Sequence, residues 1–143
     1  MRCVTRPYDR LWSFLDATAP NPQAFLAKVE TLTGPELVAL YTDTIDASGE
    51  LPARVAGLSD DEREDLADWL LGQGYEVWKA ACDADEVAMT AHFDDFSAEQ
   101  DGDLRRWKGA TPPVAPSFYG SFSRRFGADD FFDLVDEELE RRN

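Results

Sequence analysis

The chain is poor in the residues from which most reactive protein sites are built. It carries two cysteines, two methionines and one histidine among 143 residues. Cys3 and Cys82 cannot form a disulfide framework, and with His92 as the lone histidine they cannot form a Cys/His zinc cluster. Any Ser-His-Asp or Cys-His nucleophile would have to be assembled around His92, and no G-x-S-x-G turn accompanies it. Glycine-rich phosphate cradles are also missing. No apolar run approaches the roughly 20 residues that cross a bilayer, and the opening MRCVTRPYDRLW has no apolar leader core. The expectation is a cytoplasmic protein with reduced thiols, no cofactor, no bound metal and no membrane association.

Cations are scarce as well. Lys and Arg number 14 against 29 Asp and Glu, a net charge of -15. Such a surface repels nucleic-acid phosphates and anionic lipids, which disfavours both as partners. The charge is segregated along the chain. Residues 1–56 carry net -2, 57–104 net -13, 105–128 net +5 and 129–143 net -5. An aromatic content of 12% argues against a disordered acidic chain. The length suits one domain whose core needs no staple.

What is present is helix punctuation. Leu11, Trp12, Phe14 and Leu15 sit at helical spacing and predict a helix over about 8–18. Asn21-Pro22 is a cap followed by proline in the first turn, and Phe25, Leu26, Val29 and Leu32 form the stripe behind it. Thr33 with Glu36, and Ser59 with Glu62, have the spacing of capping boxes. Gly72 and Gly74 read either as a break before Tyr75 or as part of one longer helix, since Val77 stays in phase with Leu66 and Leu70. Asp83–Glu86 would cap a short helix bearing Val87 and Met89. Residues 94–116 carry loop signals, acidic and then proline-rich, and 117–126 are helical or irregular. Phe131, Phe132, Val135 and Leu139 share a face of a last helix. No segment alternates as a strand does. The sum is an all-α, single-domain bundle of about six or seven short helices. A helical core spans 1–93, an acidic then Pro-rich loop 94–116, and an aromatic segment with a helix 117–143.

Two constellations are candidates for function. Asp60, Asp61, Glu62, Glu64, Asp65 and Asp68 would form a negative face over the first turns of one helix, speeding encounter with a basic protein. The plainer reading is that these acids solubilise the helix and favour its positive end. The stretch RRWKGATPPVAPSFYGSFSRRF interleaves Arg105, Arg106, Arg124 and Arg125 with Trp107, Phe118 and Tyr119. Arginine beside aromatics is the chemistry of protein hot spots and of base stacking. Against that, the same segment would fold back, pair with the molecule's own acids and sink its rings into the core. Asp94, Asp95, Asp101 and Asp103 lack the ligand spacing of a calcium loop.

Residues 59–81, SDDEREDLADWLLGQGYEVWKAA, resemble the core of the bacterial domain-of-unknown-function 4240 family. Ser59, Asp60, Asp61, Trp69, Leu70, Gly74, Trp78 and Ala81 carry the resemblance, and Arg10–Asp16 is similar to that family's first helix. The chain departs from the pattern at Arg63, Leu66 and Ala67, so it reads as a divergent member. The resemblance implies a small helical cytoplasmic domain and brings no catalytic residues.

The leading expectation is a non-enzymatic acidic protein that binds a protein partner, as an immunity or accessory factor. A carboxylate-dependent hydrolase or transferase, with or without a divalent metal, is the rival. It requires a cleft lined by several of Glu76, Asp94, Asp95 and Glu99. A third reading, a nucleic-acid mimic, differs from the first in the partner's identity.

Overall fold

A computed structural model describes residues 7–18, 21–51, 59–99, 114–127 and 129–142. Among the described residues all regular structure is helical, in eight segments. They are α1 (Asp9–Thr18), α2 (Pro22–Val29), α3 (Gly34–Gly49), α4 (Asp60–Gly72), α5 (Tyr75–Cys82), α6 (Glu86–Glu99), α7 (Val114–Phe126) and α8 (Phe131–Arg142). The all-α expectation holds, with more helices than the six or seven expected.

Helix starts follow local chemistry. The Asn21 side chain accepts the amides of Gln23 and Ala24 at the head of α2. Thr33 with Glu36, and Ser59 with Glu62, form reciprocal capping boxes. Gly74 decides the question of the two glycines. Its φ of 107° is a conformation that side chains avoid, so α4 stops and α5 begins there. The head of α6 is set by Asp85, which accepts the Ala88 amide at 2.8 Å.

Two expectations are corrected. Residues 94–99 are not loop but the last turns of α6, a 14-residue helix. Val114–Pro116 are not loop either and open α7. Pro116 is tolerated there because amides of a first turn have no partner within the helix. Residues 100–113, with Arg105, Arg106 and Trp107, lie outside the described residues.

Helix α3 is the hub, packing against α1, α4, α7 and α8. The main core joins Leu11, Trp12 and Phe14 of α1, Phe25 of α2, Leu37 and Leu40 of α3, Phe118 and Phe122 of α7, and Phe131 of α8. The core is therefore not confined to 1–93, because α7 and α8 supply some of its largest side chains. A second cluster joins Leu66, Trp69 and Leu70 of α4 to Met89 and Phe96 of α6. Fully burying one such ring contributes roughly 1.5–3 kcal/mol. Trp78 anchors α5 by donating its indole N–H to the Ala47 carbonyl at 3.2 Å.

A charge network locks the end of α8 onto α3. Asp43 is buried at the middle of α3 and accepts from two arginines. Arg10 of α1 approaches it at 2.9 Å and Arg142 of α8 at 2.8 Å. Arg142 also holds Asp46 at 2.7 Å and Glu138 at 3.2 Å.

Candidate partner-binding site

The acids of α4 do not share one environment once the helix is packed, and Asp65 is half-buried. Asp60, Asp61 and Glu64 are exposed. Glu62 is half-buried and turned back on its own helix, accepting the Ser59 amide at 3.1 Å. Asp68 does not belong to the exposed face at all. It is 8% exposed, and its two oxygens accept the Val114 amide at 2.6 Å and the Ala115 amide at 2.8 Å. Lying two turns beyond Asp60 and Asp61, it meets the head of α7 rather than solvent. Burial pushes its carboxyl up to about 7, although the two amides pull the other way.

The aromatic-basic segment is corrected in the same sense. Phe118 is 0% exposed and packs against Phe14 and Phe25, so it is core. Arg124 pairs with Glu30. Arg125 donates to the carbonyls of Val29 and Leu32, satisfying the end of α2. Among the described residues the acid paired with this segment's arginines is Glu30, from outside the acidic block. Tyr119 is half-buried, with its ring stacked on Phe132 at 5.2 Å.

One feature was not legible in the sequence. Between α3, α4 and α7 lies a cleft of about 440 Å³. Tyr41, Thr44, Ile45 and Ser48 line it from α3, Glu64, Asp65 and Asp68 from α4, and Ala115, Pro116 and Tyr119 from α7. Three of the sequence-selected acids, Glu64, Asp65 and Asp68, thus meet one of the selected aromatics, Tyr119. Among the described residues, no lysine or arginine lines this cleft. Burial first, then the neighbouring Asp61, Glu64 and Glu62, hold the Asp65 carboxyl above its ordinary value. Burial, with Glu64 and Asp68 adding to it, likewise raises the Tyr41 hydroxyl.

Of the other candidate carboxylates, Asp101 and Asp103 and the side chain of Glu99 lie outside the described residues. Glu76, Asp94 and Asp95 are exposed on α5 and α6 and line neither this cleft nor a second one between α3, α7 and α8. Among the described residues, no group of three His, Cys, Asp or Glu side chains is placed to hold a metal. His92 is half-buried on α6. Burial pushes the Cys82 thiol up to about 11, which keeps it protonated and unreactive at neutral pH. No helix of the described residues is long and apolar enough to cross a membrane.

No protein-family model matches the chain, and no curated protein or solved structure matches it significantly.

Proposed function

We propose that this is a non-enzymatic acidic protein that binds a basic protein partner, as an immunity or accessory factor, through the outer face of α4. Divergent membership of the domain-of-unknown-function 4240 family belongs to the same reading and rests on residues 59–81. The observation that carries the reading is how the described cations are used. Arg10 and Arg142 are spent on Asp43, Arg124 on Glu30 and Arg125 on the carbonyls of Val29 and Leu32. On α4, Arg63 approaches Asp60 at 3.7 Å, an exposed pair that contributes about 0–1 kcal/mol. Asp61, Glu64 and Asp65 have no ion pair among the described residues. A concentrated negative face raises the encounter rate with a cationic surface and suppresses acidic competitors.

The rival chemistry has less support. A carboxylate pair acting as acid and base needs free oxygens facing the substrate. Asp68, the acid with the most displaced titration, has both oxygens held by α7 amides.

The test is calorimetric binding of an oligolysine peptide to the chain and to a D60N/D61N/E64Q/D65N variant. Glu62 stays intact so that the capping box survives. Binding to the parent chain, weakened at least about tenfold in the variant, supports the reading. Equal binding to both, or none to either, removes it.

A further inference from the structure

We infer that the cleft between α3, α4 and α7 receives a single arginine side chain of the partner, its guanidinium laid between Tyr41 and Tyr119 and forked onto Glu64 and Asp65. This rests on the acidic-face reading and specifies where and how that face recognises its ligand.

The cleft is walled mainly by apolar surface: the rings of Tyr41 and Tyr119, with Ile45, Ala115 and Pro116. Among the described residues its charge is all of one sign, from Glu64, Asp65 and the enclosed Asp68, and none of opposite sign lines it. A cation is the complement of such a site. Beyond burial, the charge of Glu64 adds to the cost of ionising Asp65, and that of Asp65 to the cost of ionising Asp68; an arriving cation relieves it. Its volume of about 440 Å³ falls within the range of about 300–1,000 Å³ typical of ligand clefts.

Guanidinium fits better than ammonium for three reasons. It is planar and stacks on tyrosine faces, its fork can span two carboxylates, and it sheds water more readily on entering a partly apolar cleft. The walls are already held in place. Tyr41 meets Phe131 edge-on at 4.9 Å, and Tyr119 stacks on Phe132 at 5.2 Å. Less conformational freedom is therefore lost on binding. Asp68 supports the arrangement from behind by holding the first residues of α7, Val114 and Ala115, five and four positions before Tyr119.

The experiment uses short neutral peptides carrying one arginine, one citrulline or one lysine, titrated into the full chain and followed by amide shifts in NMR. Citrulline keeps the shape of arginine and removes its charge. The arginine peptide is expected to bind about tenfold tighter than the citrulline peptide, and tighter than the lysine peptide. That preference should vanish in E64Q/D65N and survive in D60N/D61N, whose changes lie on the same helix outside the cleft. Thermal melts by circular dichroism verify that both variants are folded. Equal binding of arginine and citrulline, a preference untouched by E64Q/D65N, or tighter binding of lysine would overturn the inference. If oligolysine still binds through Asp60 and Asp61 in that case, only the cleft assignment falls. If oligolysine binding fails as well, the acidic-face reading falls with it.

Discussion

Asp68 of α4 and Val114 of α7 are joined by a hydrogen bond of 2.6 Å that spans 46 positions of the chain. With the companion bond to Ala115, it lets one helix supply the cap of another. A residue that a helical wheel assigns to a binding face instead fixes where α7 begins, and with it the Tyr119 side of the cleft.

This contact has a definite pH signature. Asp68 is raised from an ordinary 3.8 to about 7, with burial as the largest cause. The folded state therefore binds the proton more tightly than the unfolded state. The Asp68 contribution to stability is greatest below the ordinary value, declines as pH rises towards about 7, and is flat above it. Asp68→Asn does not titrate, and its NH2 group must face one of the two amides. The variant should be less stable by about 1–3 kcal/mol near the acid end of this window. The gap to the parent chain should narrow as pH rises through the window. Urea melts of both proteins across that range measure the difference directly, and a gap that widens with pH would contradict the assignment.

The Asp43 network predicts an order among arginine variants. The Asp43 side chain is 4% exposed, whereas the side chain of Arg142 is 23% exposed and that of Arg10 55%. Removing one partner of a buried acid leaves charge uncompensated, at a cost of up to about 3–5 kcal/mol when the pair is fully enclosed. Arg142→Ala also removes the partner of Asp46 and one of the two arginines on Glu138. It should cost about 2–3 kcal/mol, and Arg10→Ala clearly less. Chemical denaturation at neutral pH ranks the two.

Two glycines should respond with opposite sign to the same change. A Cβ at Gly74 or at Gly120 meets nothing within 4 Å, so packing is not the issue at either position. Gly74 has φ of 107°, and Gly74→Ala should destabilise by about 1–2 kcal/mol through backbone strain alone. Gly120 lies inside α7 with ordinary helical backbone, and Gly120→Ala should stabilise by roughly 0.5–1 kcal/mol. Thermal melts of the two variants separate the effects.

The sequence made the helix starts legible because capping is local. Asn21, Thr33 and Ser59 each satisfy amides two or three positions ahead, so their spacing carries the answer. The length of α6 was obscured because its apolar periodicity is weak. It buries Met89 and Phe96 while leaving Val87 80% exposed, and its tail of Asp94 and Asp95 imitates a loop. The roles of Asp68, Asp43 and Arg125 were not legible at all. Each depends on a partner at least 33 positions away, and a mid-helix polar residue carries no mark of which neighbour it will meet. The cleft shares this property, since Tyr41, Glu64 and Tyr119 meet only when three helices pack. The exposed α4 acids were legible as acids; that Asp61 and Glu64 have no ion pair among the described residues became visible only when the described arginines were placed.

Recognition through the charge of α4 can be measured as the association rate of an oligoarginine peptide, followed by stopped-flow from about 0.05 to about 0.5 M salt. The rate should fall steeply with salt in the parent chain, and be slower and less salt-dependent in D60N/D61N/E64Q/D65N. Rates that are the same in both proteins at every salt concentration would contradict it.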